Sequence, residues 1–124
     1  AREGRGRFVV ESDRGKLELI LTNLVSNAVA YSPPGAVVET RIGRSDGEVV
    51  VAIANPAPDL EDADLPHLFE RFWRKDQART GGQHVGLGLT LVKSSADLLG
   101  LELGVELTPD RRLRFVLPLP LAAE

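Results

Sequence analysis

Asn23 and Asn27 stand four residues apart in a stretch whose apolar residues recur at spacings of three and four. On a helix this spacing puts both amides on one side, along the flank of the Leu/Ile stripe. An amide oxygen can coordinate Mg²⁺, a hard cation that prefers oxygen ligands and borrows others from phosphates. Taken alone, two solvated asparagines on a helix flank are the simpler reading.

A second constellation lies further along the chain. Gly81-Gly82 is followed by Gly86-Leu87-Gly88-Leu89, where a second helical pattern begins. A glycine-rich loop entering a helix exposes backbone N–H groups at the positive end of the helix dipole, which suits a phosphate. The alternative is a surface loop ending in a glycine-containing helix cap. It is not a Walker loop, because no Gly-Lys-Ser/Thr follows.

The elements that must position these residues can be read in order. Residues 1–6 (AREGRG) form a linker remnant, and Phe8–Glu11 is a short strand candidate. Ser12 and Asp13 supply N-cap chemistry. A helix over 14–31 follows, with Leu17, Ile20, Leu21, Leu24, Ala28 and Tyr31 on one face. Ser32-Pro33-Pro34-Gly35 stops it. Residues 36–44 are β-branched and partly alternating, Asp46-Gly47 centres a hairpin turn, and Val49–Ala54 is the returning strand.

After a loop at 55–66, helical pattern is expected over Leu65–Phe72. Residues 74–85 then form a polar, glycine-containing loop. An amphipathic helix is expected over 87–99, with Leu87, Leu91, Val92, Leu98 and Leu99 apolar, closed by Gly100. Leu101–Leu107 and Leu113–Leu117 make a second hairpin around Thr108-Pro109-Asp110, and Pro118 and Pro120 are expected to end the regular structure. Segregated helices with mostly antiparallel strands predict a two-layer α/β sandwich, a mixed, mostly antiparallel sheet against about three helices.

Composition bounds the function. The 124 residues suit a single domain, and 43% hydrophobic with 27% charged residues is a globular balance. A net charge of −3 argues against a duplex nucleic-acid binder and against a polybasic membrane anchor. Without cysteine there is no disulfide framework and no thiolate zinc site. His67 and His84 are too far apart for a metal-site spacing. No apolar run approaches the roughly 20 residues of a membrane helix, and no signal peptide is visible. The chain has no methionine, even at position 1, and is expected to be a piece of a longer protein.

Three motifs occur together and in order. NLVSNAVAYSPPG (Asn23–Gly35) resembles the N box of sensor histidine kinases, in the GHKL superfamily that includes gyrase, chaperone and mismatch-repair ATPases. LFERFWR (Leu68–Arg74) resembles the F box, and GLGLTLVK (Gly86–Lys93) the second glycine box. The resemblance covers nearly the whole chain, with residues 7–121 as the ATP-binding catalytic domain and 122–124 as a tail. It implies the Bergerat-type ATP-binding fold, with ATP and Mg²⁺ as cofactors.

The resemblance also implies roles. Asn27 matches the Mg²⁺-coordinating asparagine. Asn23 matches the polar residue one turn earlier, where the superfamily's ATPases place a glutamate general base. An amide cannot take a proton at neutral pH, so Asn23 suits phosphoryl transfer to a histidine rather than hydrolysis. Tyr31 matches the aromatic near the nucleotide, and is equally suited to the core. Arg74 matches a basic residue that reaches the phosphates; a solvated charge is the alternative. Lys75 and Arg79 read as solvated charges. Phe69 and Phe72 read as clamps for the loop, and 74–85 as an ATP lid. Gly86, Leu87, Gly88 and Leu89 line the phosphates.

The sequence departs from the pattern at three places. The first glycine box, Asp-x-Gly-x-Gly in the family, is here Asn55-Pro56-Ala57-Pro58-Asp59. Asn55 can still accept a hydrogen bond from the adenine amino group, but without the charge that roughly doubles such a bond. Ala57 and Asp59 bring Cβ atoms where glycine is usual. Ala30 replaces a frequent lysine, and His84 a frequent glycine; His84 reads as a surface residue of the loop.

The expectation is therefore a divergent but working nucleotide site that delivers the ATP γ-phosphoryl group to a histidine. Neither His67 nor His84 sits in an acceptor context. The acceptor is expected on an upstream dimerisation and phosphotransfer domain, with a response regulator receiver downstream. The fragment itself should be monomeric and unable to phosphorylate itself. It should lie on the cytoplasmic side of a parent anchored in the inner membrane. A non-catalytic pseudokinase that binds partners is the alternative. An anti-sigma-type serine kinase is a third reading, which the F-box-like segment disfavours.

Overall fold

In a computed structural model, the residues described are Val10, 12–70 and 88–120. The expected loop over 74–85, with Arg74, His84, Gly86 and Leu87, lies outside them, as do the linker and the tail. Of the strand expected at Phe8–Glu11, only Val10 is described, in an isolated bridge.

Helix α1 spans Arg14–Tyr31, the range expected. Asp13 caps it: its Oδ1 accepts from the backbone N–H of Lys16 at 2.9 Å, which satisfies one of the orphan donors of the first turn. That bond holds the Asp13 carboxyl below its ordinary value. The helix ends at Ser32, before the two prolines. Ile20, Leu24 and Ala28 are fully buried on its core face.

Four strands follow: β1 (Glu39–Ser45), β2 (Glu48–Pro56), β3 (Gly104–Leu107) and β4 (Arg112–Pro120). Their order is β1-β2-β4-β3, and every described pair is antiparallel. The three pairings among these strands agree with the mostly antiparallel sheet expected. Asp46 and Gly47 both take positive φ, 48° and 79°. This is the pair a tight primed hairpin turn requires, and glycine adopts it without strain.

Pairing fixes which side chains share a face. Val49, Val51, Ile53 and Asn55 lie opposite Leu119, Leu117, Phe115 and Leu113. All eight are buried. This face of β2 and β4 forms the core with α1 and with α2 (Gly88–Leu99).

Three expectations are corrected. Of the helix placed at Leu65–Phe72, the described residues, to Glu70, are not α-helical: a 3₁₀ turn spans Asp62–His67 instead. Pro66 lies inside it and cannot continue an α-helical ladder, and the Glu61 N–H donates to Asp64 at 2.9 Å, starting the turn early. Strand β4 does not stop before Pro118 but runs to Pro120. It outruns β3, so its last residues have one flank unpaired among the described residues, where a strand tolerates proline. On α2, the buried residues are Leu89, Val92, Ser95 and Ala96. Leu91 and Leu98, assigned to the apolar face, are 49% and 75% exposed. The stripe is narrower than a count of leucines suggests, because small Ser95 and Ala96 allow α1 and α2 to approach.

Candidate nucleotide site

Asn27 is 7% exposed, beside buried Ala28 and one turn after buried Leu24. The flank position read from the helical wheel is thus an interior one, and the solvated reading fails for it. Asn23, one turn earlier, is half-buried, and its Nδ2 donates to the Leu19 carbonyl at 2.8 Å. With the amine side so used, its Oδ1 faces the start of α2. A Cβ on Gly88 would stand 3.1 Å from this oxygen, closer than side chains normally pack. Glycine at 88 is what lets α2 begin against α1.

Leu89 is buried beneath the same first turn. The structure therefore brings Asn23, Gly88 and Leu89 together at the junction of the two helices. The backbone of Tyr31 closes α1; its side chain, with Arg74, Gly86 and Leu87, is outside the described residues.

Asn55 ends the inward face of β2. It is 1% exposed, where Val49, Val51 and Ile53 precede it on the same face. Its Nδ2 donates to the Pro56 carbonyl at 3.0 Å. Its Oδ1 is buried and has no partner among the described residues. An unsatisfied buried acceptor is costly, so this oxygen is suited to a donor from a ligand.

The loop after Asn55 is braced from β4 in a way the sequence did not announce. The Ala57 N–H donates to the Arg111 carbonyl at 2.9 Å. The Arg111 guanidinium donates to the carbonyls of Leu60 and, at 3.5 Å, Pro58. Arg111 holds φ at 64°, uncommon outside glycine. Ala57 itself is only partly buried against the core. Its Cβ is accommodated, because prolines and Arg111 hold the loop that glycines shape in the family pattern. A contact 51 residues away in sequence leaves no local signal to read.

His67 lies in the 3₁₀ turn, with Nδ1 2.9 Å from Glu70 Oε2. Among the described residues no group of three His, Cys, Asp or Glu side chains could hold a metal ion.

This geometry can be compared with known proteins. The sequence profile described as histidine kinase-, DNA gyrase B- and HSP90-like ATPase matches residues 12–123. The chain belongs to this family. Its relatives within it are sensor histidine kinases. The signal transduction histidine-protein kinase AfsQ2 of Streptomyces coelicolor is 32% identical over 108 residues, covering 87% of this chain and 20% of the relative.

Among solved structures, the mycobacterial sensor histidine kinase MprB has a TM-score of 0.77 at 27% identity, covering 93% of this chain and 76% of that one. Full-length ShkA in complex with AMPPNP has a TM-score of 0.77 at 25% identity, covering 95% and 24%. This chain spans about a fifth to a quarter of the length of the curated relatives it matches. It has the fold of a histidine kinase ATP-binding catalytic domain, a two-layer α/β sandwich.

Proposed function

We propose that this domain binds Mg²⁺-ATP between α1, the end of β2 and the start of α2. It then presents the γ-phosphoryl group to a histidine on a separate dimerisation and phosphoacceptor domain. The observation that carries this reading is Asn55, whose buried acceptor oxygen at the end of the central strand has no partner among the described residues. A nucleobase amino group would satisfy it.

The other residues fit the remaining parts of the same ligand. Asn27 offers an amide oxygen for Mg²⁺ from a largely buried side chain. Gly88 and Leu89 present first-turn N–H groups at the positive end of α2 to the phosphates. Arg74, Gly86 and Leu87 extend that surface, and Tyr31 and Ala57 border the base. Asn23 cannot act as a general base, which favours transfer to a nucleophile that needs no activation by a carboxylate. When bound, Mg²⁺-ATP supplies the phosphoryl group and the charge neutralisation for its transfer. The domain's part is to hold, orient and desolvate.

The similarity to ShkA, solved with AMPPNP, supports the nucleotide. The sensor kinases among the relatives support the acceptor domain of the same parent and a downstream receiver domain as partners. They also support a position on the cytoplasmic side of an inner-membrane protein. Among the described residues no helix is long and apolar enough to cross a membrane.

The test is to incubate the full-length parent with Mg²⁺-ATP. Acid-labile, base-stable protein phosphate that disappears in Asn27→Ala is the expected result. A parent that binds nucleotide but forms no such phosphate would leave the domain a non-catalytic, partner-binding module.

A further inference from the structure

Thr90 is the third residue of α2. Its hydroxyl donates to the carbonyl of Phe69 at 2.9 Å, across 21 residues of sequence, in a partly buried setting. Phe69 is itself fixed. Its ring meets that of Phe115 edge to face, with centroids 6.2 Å apart and planes at 73°. Phe115 is 1% exposed in the middle of the core face of β4. Next to Phe69, Leu68 is buried in the core. The carbonyl that receives the Thr90 hydroxyl is therefore tied to the central sheet.

The same helical turn also meets α1. Asn23 of α1, fixed by its bond to Leu19, lies against Gly88. Leu89, next along, is buried in the core. Helix ends ordinarily fray, and the first-turn N–H groups have no partners inside the helix. Here the turn that exposes those donors is tied by the Thr90 hydroxyl and packed against the Asn23 amide.

We propose that Thr90 is a positioning residue for phosphate binding: through Phe69 it fixes the first turn of α2 so that its N–H groups converge on the ligand's phosphates. The proposal rests on the nucleotide-binding reading. It assigns Thr90 no contact with the ligand. Its effect passes through the backbone it holds, so it concerns the phosphate end of the nucleotide and not the base end at Asn55.

The test compares wild type, Thr90→Val, Thr90→Ser and Thr90→Ala with two ligands: Mg²⁺-AMPPNP by calorimetry and adenosine by NMR titration. Valine keeps the shape and removes the hydroxyl; serine restores it. One lost hydrogen bond of ordinary strength corresponds to about a five- to tenfold change in affinity. The expected result is such a weakening of AMPPNP in Thr90→Val and Thr90→Ala, adenosine unchanged within about twofold, and rescue by Thr90→Ser.

Equal weakening of both ligands, no weakening of AMPPNP, or failure of serine to rescue would overturn the assignment. So would loss of folding in both Thr90→Val and Thr90→Ala, which would make the bond a scaffold contact only. A wild-type domain that binds neither ligand would instead refute the nucleotide reading and the proposal with it.

Discussion

Asn55 occupies a place where the strand pattern calls for an aliphatic side chain, in line with Val49, Val51 and Ile53. Its Nδ2 has the Pro56 carbonyl, and its Oδ1 has no partner among the described residues. An apolar group of similar shape removes the unsatisfied oxygen and leaves only the carbonyl of Pro56, itself half-buried and within reach of water, without its donor, so the two effects largely offset. Asn55→Leu is therefore expected to change the unfolding free energy of the ligand-free domain by no more than about 1 kcal/mol, measured by urea denaturation. The same variant should weaken AMPPNP by about tenfold or more. A large loss of stability with unchanged nucleotide affinity would show that Asn55 serves the fold and not a ligand. The sequence made Asn55 a candidate because it stands where the family has aspartate. It could not show that the amide is oriented by its own neighbour's carbonyl, because that depends on the turn of the chain at Pro56.

At the scale of elements, α1 and the start of α2 carry the proposed site. Gly88→Ala would bring a Cβ to 3.1 Å from Asn23 Oδ1, and Asn23 cannot readily retreat while bonded to Leu19. Alanine is the better helix former by up to about 1 kcal/mol, which offsets the crowding. Stability should thus stay within about 1 kcal/mol of wild type while AMPPNP affinity falls, and calorimetry beside thermal unfolding separates the two. The N-cap of α1 gives a pH prediction. Asp13 is lowered from its ordinary 3.8 by the Lys16 backbone N–H first, then by the Lys16 side chain. A carboxyl lowered on folding stabilises above its unfolded value, and that contribution is lost as pH falls through the folded one. Wild type should melt a few degrees above Asp13→Ala near neutral pH. The difference should vanish on acidification below the ordinary carboxylate range, as followed by thermal melts across pH. Helix α1 was legible to the residue because Asp13 and the Pro33-Pro34 pair mark both ends. The 3₁₀ turn at Asp62–His67 was not, since Pro66 and the Glu61–Asp64 contact outweigh the apolar spacing that suggests an α-helix. The exposed Leu91 and Leu98 mislead for a related reason: it is the close approach of α1, not residue type, that chooses which face of α2 is inward.

Across the whole molecule, one apolar interface between the β2–β4 face and two helices holds the domain together. Polar Asn27, Asn55 and Ser95 are buried in the same structure. The order of helix and strand patterns announced the two-layer architecture, because segregated helices beside antiparallel strands leave few other ways to bury both apolar faces. What they could not reveal is the bracing of the 55–60 loop by Arg111 or the tie from Thr90 to Phe69, both long-range contacts without local pattern. The central claim is that the interior amide of Asn27 binds Mg²⁺ together with nucleotide phosphates. The most direct test is calorimetric titration of AMPPNP into wild type and Asn27→Ala, each with and without Mg²⁺. The account predicts that Mg²⁺ tightens wild-type binding by about tenfold or more, and that Asn27→Ala loses this dependence while keeping its Mg²⁺-free affinity within about twofold. Equal Mg²⁺ dependence in both proteins, or no binding to wild type at millimolar analogue, would contradict it.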